Sequence, residues 1–406
     1  MEFITSSITA PAGFKATGIH CGIRRNRAKK DLALIFAEKE CDAAAIYTQN
    51  KVKGAPILVT QEHLRNAKAR AFLCNSGNAN TCNADGVEKA NLMCGYVAKE
   101  LGINEDDIII ASTGVIGQEL PIEPVRDSAA TLVRFLSENG AEAAEEAIMT
   151  TDTRKKQTAV AFELGGRVCK IGGIAKGSGM INPNMATMLC FITTDADIDG
   201  EMLHRALIDN IADTFNMVCI DGDTSTNDMV SILASGLAGN ERITNEGADY
   251  DTFSDALREV MVHLAREVAR DGEGATKLLE CEVVGAPDLK TAKSVAKSVI
   301  ASSLFKAAMF GSDANWGRVL CAVGYAPVDV DVDVSLIDVT FQSIAGNIKV
   351  CSAGVGVDFS ENDACSILMR NEVKVIVGLN AGENSAKAWG CDLTYDYVKI
   401  NGDYRT

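Results

Sequence analysis

The chain has 406 residues, 47% of them hydrophobic and 23% charged, enough for two or three folded units around a large core. Its formal charge of −16 opposes phosphate backbones and anionic lipid, so nucleic-acid and membrane partners are not expected, and no apolar run is long enough to span a bilayer. The 13 cysteines, an odd number with no CxxC spacing, mostly sit in apolar runs and read as buried reduced thiols of a cytoplasmic protein.

Met1 to Phe14 lacks the basic start and apolar stretch of a secretory leader, so none is expected. Apolar stretches then alternate with amphipathic ones, and glycine is abundant (35) while proline is scarce (7), as suits a compact α/β protein with tight turns. The pattern predicts a strand over 71–74, a helix over 84–101, and a strand over 107–111 running into Ser112-Thr113-Gly114. Helices are predicted over 122–137 and 140–149, and strands over 156–163, 167–174 and 187–194. A helix over 200–214 leads into a strand over 216–220, and 250–270 reads as a long amphipathic helix. Beyond Lys277 come a strand over 278–284, a helix over 289–302, and short strands over 328–333, 337–342, 346–351 and 373–378. Leu393, Tyr395 and Tyr397 alternate with polar residues and predict a last short strand before an Asn401-Gly402 turn. Gly285-Ala286-Pro287 supplies turn chemistry, so a boundary is expected near 278–288, between a core over 1–278 and a smaller α/β domain over 279–406.

Polar residues that interrupt apolar strands mark where chemistry belongs. Lys176-Gly177-Ser178-Gly179 reads either as a loop whose inward N–H groups cradle an anion or as an ordinary glycine-rich turn; GxxxxGK[ST] is absent. Thr187 sits where that polar loop enters an apolar run, and by pattern alone it is a β-branched strand residue. Thr113 beside Gly114 offers a hydroxyl and an N–H, either an oxyanion hole or a strand-ending turn. Asp221 to Asp228 packs three carboxylates and three hydroxyls, but with poor calcium-loop spacing, and reads as the cap of a helix beginning near Asn227. Glu273, between two glycines, is a substrate-binding carboxylate or a solvated acid.

Histidines occur only at 20, 63, 204 and 263, outside any glycine-rich motif, and there is no GxSxG elbow. A serine–histidine hydrolase and a zinc site are therefore hard to build, and no metal is expected. A hydroxyl nucleophile without a histidine can use its own α-amino group as base, which demands internal cleavage.

The sequence resembles the glutamate N-acetyltransferase, or ornithine acetyltransferase, family. The resemblance runs from ITAPAGF at 8–14 to the last residue and rests above all on GSGMINPNMATML at 177–189. Other matches are Lys30 to Leu34, CNSGNAN at 74–80, STG at 112–114, TTDT at 150–153, DGDTSTND at 221–228, DGEGATK at 271–277, NWGR at 315–318 and NGDYRT at the end. Ala314 stands where the family has proline. The resemblance implies an αββα sandwich with N-terminal-nucleophile chemistry plus a smaller C-terminal α/β domain. It implies a precursor that cleaves itself between Ala186 and Thr187, with the products assembled as two α and two β chains. Thr187 then matches the nucleophile and Thr113 and Gly114 the oxyanion hole. Thr150, Lys176, Glu273, Asn401 and Thr406 match substrate-binding positions. The implied reaction moves acetyl from N2-acetylornithine to glutamate without a cofactor; acetyl-coenzyme A as a second donor is left open. The residues alone also admit a self-cleaved threonine amidase or aminopeptidase, or a non-enzymatic anion-binding protein.

Overall fold

The structure, a computed structural model, describes residues 1–182 and 188–403. It divides into two compact units. The first holds residues 1–177, the stretch from Met188 to Phe215, and 224–264; the second holds 178–182, 216–223 and the chain from Ala265 onward.

The first unit carries a nine-stranded sheet of β1 (Glu2–Phe3), β2 (Phe14–Ile19), β3 (Leu32–Tyr47), β4 (Lys68–Asn78), β5 (Ile108–Val115), β6 (Lys156–Leu164), β7 (Arg167–Lys176) and β8 (Leu189–Thr194). The next strand, β9 (Val218–Cys219), belongs to the second unit, and β10 (Met229–Ala234) completes the first sheet. The order is β1-β6-β7-β8-β10-β3-β4-β5, with β2 also on β3. Along the chain lie helices α1 (Ala55–His63), α2 (Gly86–Leu101), α3 (Glu123–Arg134), α4 (Ala141–Ile148), α5 (Gly200–Ile211) and α6 (Ala248–Arg270).

β3 explains the architecture. Its first part pairs with β2 and β4, its last part with β10, and its register against β4 shifts between Phe36 and Cys41, where Glu38, Lys39 and Glu40 are exposed. The strand turns a corner there, so the two halves of the sheet face each other. Phe72 of β4 meets Phe191 of β8 at 5.0 Å between ring centres, although the two strands are not neighbours in the sheet. Ile35, Ile109, Ile174 and Leu233 share that inner core. Alternate residues Leu34, Leu73 and Ile110 point to the outer face, where they pack with Met93 and Val97 of α2 and Val125 and Leu132 of α3. On the other half, Val260 and Leu264 of α6 lie so close to Gly173 of β7 that a Cβ there would come within 3.2 Å and 3.0 Å of them. Helices outside and two facing sheet layers inside give the αββα order.

The second unit carries a seven-stranded sheet, β14-β13-β12-β15-β11-β16-β9, built from β9, β11 (Leu278–Ala286), β12 (Asp338–Ser343), β13 (Gly346–Ser352), β14 (Val355–Gly356), β15 (Glu372–Gly378) and β16 (Asn384–Cys391). Its helices include α7 (Leu289–Ala301), α8 (Ser303–Phe310), α9 (Trp316–Gly324), α10 (Glu361–Leu368) and α11 (Tyr395–Gly402). Asp288 starts α7 by accepting the Thr291 N–H at 2.7 Å, a side-chain N-cap.

Three expectations are corrected. Residues 328–333 form no strand: the alternation of Asp329, Asp331 and Asp333 with valines buries no face, and Val330 is exposed. The segment near Tyr395 is helix α11, with Tyr395 84% exposed, so aromatic alternation there anchors no strand. No helix begins near Asn227; the chain enters β10 instead.

Candidate active site

The end of β5 is shaped by close backbone packing. Gly77 of β4 lies opposite Gly114, and a Cβ on Gly114 would sit 2.3 Å from the Gly77 carbonyl carbon. Gly114 also has φ +134, a conformation that side chains disfavour, so only glycine fits. Thr113, half-buried beside it, has a hydroxyl that makes no hydrogen bond among the described residues. Asn227 ties this strand end down. Its Nδ2 donates to the carbonyls of Ala79 at 2.6 Å and Ser112 at 3.0 Å, and its Oδ1 accepts from Thr81 at 2.6 Å and Thr226 at 2.5 Å. All the hydrogen-bonding capacity of one buried amide is thus spent on the strand ends and loop that carry Thr113. This replaces the helix cap expected from Asp221 to Asp228.

A second cluster lies at the end of β7. Asp152, with its side chain fully buried, accepts from Lys156 Nζ and from the Gly177 N–H, each at 2.7 Å, and from the Thr150 N–H at 2.9 Å. Lys176 Nζ is 3.9 Å away, an ion pair without a hydrogen bond. Burial would raise the Asp152 pKa, but the charges of Lys156 and Lys176 and the bonds from Lys156 and Thr150 outweigh it and hold the carboxyl well below its ordinary range. Asp228, just before β10, is the opposite case. It is buried with Oδ2 unpartnered, and burial, only partly offset by Ser225 and the Lys176 charge, pushes its pKa well up.

The segment that follows Gly177 belongs to the second unit. The Ser178 carbonyl accepts the Glu273 N–H at 2.8 Å. Gly179 lets the Glu273 carboxylate approach, since a Cβ there would lie 2.4 Å from its carbon. Glu273 Oε2 accepts from Asn401 Nδ2 of α11 at 2.8 Å, while Oε1 makes no hydrogen bond among the described residues. Asp221 takes the next two N–H groups, from Met180 at 2.6 Å and Ile181 at 2.9 Å. The N–H groups of Gly177, Met180 and Ile181 are therefore occupied by the protein's own carboxylates. Of the two readings of this segment, these bonds favour the glycine-rich turn over the anion cradle.

The structure thus brings Thr150 and Lys176 together around Asp152, and Glu273 and Asn401 together in the second unit. Thr113 and Gly114 share the end of β5. Ala186, Thr187 and Thr406 lie outside the described residues. Asp152, Asp221 and Asn227 are functional candidates that sequence reasoning did not single out, although TTDT and DGDTSTND contain them, while Lys156 serves as the buried counter-charge of Asp152. Three of the four histidines are engaged elsewhere: His20 with the Lys29 carbonyl, His63 with the Ile108 carbonyl, and His263 against the Phe3 ring; His204 is exposed on α5. Among the described residues no group of three His, Cys, Asp or Glu side chains could hold a metal ion, and no helix is long and apolar enough to cross a membrane.

The sequence model of the ArgJ family matches residues 15–406. The arginine biosynthesis bifunctional protein ArgJ 1 of Clostridium acetobutylicum is 48% identical over 401 residues, covering 98% of each chain. The ArgJ protein of Symbiobacterium thermophilum is 49% identical over 411 residues, covering 100% of each. Among solved structures, ornithine acetyltransferase complexed with ornithine, from Mycobacterium tuberculosis, is 34% identical with a TM-score of 0.42, covering 46% of this chain and 99% of that one. With a family match that runs to the last residue and relatives at 48% and 49% identity along essentially the whole length, the chain belongs to the ArgJ family.

Proposed function

We propose that this chain is a glutamate N-acetyltransferase of arginine biosynthesis that moves acetyl from N2-acetylornithine to glutamate through an acetyl-threonine on Thr187. The observation that carries the reading is the buried Lys176 ammonium, which makes no hydrogen bond among the described residues and so keeps donors for a substrate carboxylate. A buried cation with unspent donors is costly unless a ligand uses them. Glu273, in the second unit, has one carboxylate oxygen left for a substrate ammonium. The names of the relatives, arginine biosynthesis bifunctional proteins, agree with a role in arginine biosynthesis; acetyl-coenzyme A as a further donor is part of the proposal.

In this reading Thr187 Oγ first attacks the Ala186 carbonyl, and the resulting ester is hydrolysed to chains 1–186 and 187–406. The freed α-amine, with a reference pKa of about 7.7–8, is partly neutral near neutral pH and takes the hydroxyl proton. Thr187 then attacks the acetyl carbonyl of acetylornithine, ornithine leaves with the proton, and glutamate attacks the ester. Thr113 Oγ and the Gly114 N–H would stabilise the oxyanion in both halves. Thr150, Asn401 and Thr406 complete the substrate contacts, and the 1–278 and 279–406 segments act as catalytic core and smaller domain. Two copies of each chain assemble as a cytoplasmic heterotetramer, a setting that suits 13 cysteines without a disulfide.

Denaturing mass spectrometry is the direct test. Wild type should give two chains, the second beginning at Thr187, and Thr187→Ala a single chain. Acetylornithine alone should add one acetyl group to the second chain, and glutamate should remove it. Cleavage of Thr187→Ala, or turnover independent of glutamate, would overturn the reading.

A further inference from the structure

We infer that Asp152 is the positioning residue of the substrate-binding cluster, fixing Thr150, Lys176 and the start of the loop at Gly177 around one buried carboxylate. The inference rests on the proposal that Thr150 and Lys176 contact the acetylated amino acid, and adds a residue that no substrate atom need touch.

The argument begins with what a buried carboxylate requires. Asp152 must be paired, and Lys156 alone meets that need: its Nζ lies 2.7 Å from Oδ1, and both side chains are fully buried. Every further contact exceeds the need for charge balance. Oδ1 also accepts the Gly177 N–H at 2.7 Å, and Oδ2 accepts the Thr150 N–H at 2.9 Å with the Thr150 hydroxyl at 3.4 Å. Thus one side chain ties together the segment after α4, the start of β6 and the end of β7. Neighbouring β6 and β7 place Lys156 opposite Ala175, which brings Lys176 and Gly177 to the same spot.

The distance to Lys176 matters most. At 3.9 Å its ammonium is attracted to Asp152 but donates no hydrogen bond to it. The cation is therefore held in place while its three donors remain available. A closer contact would spend a donor, and a neutral partner would not hold the charge. Lys156 neutralises Asp152, and Asp152 in turn orients Lys176. The same carboxylate holds the Thr150 backbone, so two side chains from separate segments are set relative to each other.

The experiment compares Asp152→Asn with Lys156→Met in the full-length, processed protein. It reads KM and kcat, calorimetric binding of N2-acetylornithine, and Tm. Both variants should lose thermal stability, because each breaks a buried pair. Only Asp152→Asn should raise KM and Kd, by roughly tenfold or more, the scale of a misplaced charge-assisted contact, with kcat changed by less than about threefold. Lys156→Met should keep KM within about twofold, since Gly177, Thr150 and Lys176 still surround the carboxylate. Folded Asp152→Asn with wild-type KM and Kd, or with changes no larger than those of Lys156→Met, would overturn the inference.

Should Asp152→Asn not fold, a cycle of Thr150→Val, Lys176→Met and the double variant replaces it. Coupling in Kd between those two residues supports a shared anchor, and additive effects overturn it. Wild type that binds acetylornithine but transfers no acetyl would sink the reaction reading, leaving Asp152 judged on Kd. Wild type that binds no acetylornithine would overturn both.

Discussion

Thr113 and Gly114 differ in what they demand of the fold. Gly114 is required by its neighbours, because a methyl group there would meet Gly77 backbone at 2.3 Å. Gly114→Ala should therefore disturb the β4–β5 pairing itself and lower Tm as well as activity. Thr113→Val keeps shape and removes a hydroxyl that holds nothing in place among the described residues. It should leave Tm unchanged while kcat falls about a hundredfold, the scale seen when one oxyanion donor is lost. Wild-type kcat in fully processed Thr113→Val would remove that hydroxyl from the reaction. At this scale the sequence drew attention to Thr113, Lys176 and Glu273 through the motifs that contain them, and their proposed roles come from the resemblance rather than from the pattern. Asp152 and Asn227 were not legible, because their partners are distant: Gly177 lies 25 residues from Asp152, and Ser112 lies 115 from Asn227. An aspartate among threonines looks like any turn until the fold shows what it holds.

Elements bear on cleavage and on the tail. The described chain before residue 183 passes through Met180, a non-glycine residue at φ +57, held by the N–H bonds of Met180 and Ile181 to Asp221. A left-handed methionine persists only where its surroundings over-determine it. Asp221→Ala should slow self-cleavage at least tenfold by roughly the loss of two charge-assisted bonds, measured as precursor remaining over time; an unchanged rate would show that the clamp is irrelevant. α11 presents Asn401 to Glu273, so deleting Asp403 to Thr406 should leave a folded, cleaved protein with raised KM for acetylornithine. Unchanged KM would refute a role for Thr406. Helical periodicity made α2 and α6 legible, and continuous isoleucine made β5 so. β3 escaped because Glu38-Lys39-Glu40, exposed at its corner, interrupts the apolar pattern. Tyr395 and Tyr397 misled because alternation was taken to mean burial, whereas Tyr395 faces solvent on a helix.

At the scale of the whole molecule, Glu145 of α4 gives a pH dependence of stability. It is fully buried with neither carboxylate oxygen hydrogen-bonded among the described residues, and burial, only partly offset by the Lys155 and Lys156 charges, pushes its pKa up from 4.5 to about 7. Between those values the folded state keeps a proton that the unfolded chain gives up. Stability from this group is therefore present below pH 4.5, declines as pH rises toward about 7, and then levels. Glu145→Gln, which cannot ionise, should match wild type near the acid end and exceed it in Tm above pH 7; a difference independent of pH would refute the assignment.

The strand order carries its own consequence. β8 and β10 lie side by side between β7 and β3, so two strands from beyond residue 187 fill the middle of a sheet otherwise made from the chain before it. Cutting the backbone at 186/187 would be a nick inside a single weave. Chain 1–186 expressed alone would show two bare strand edges, β7 and β3, and should aggregate. The halves could not be traded between mature molecules either. Mixing a variant damaged at Thr113 with one damaged at Glu273 should restore no activity unless both are unfolded and refolded together, so every copy would have to inherit both of its halves from the same act of folding.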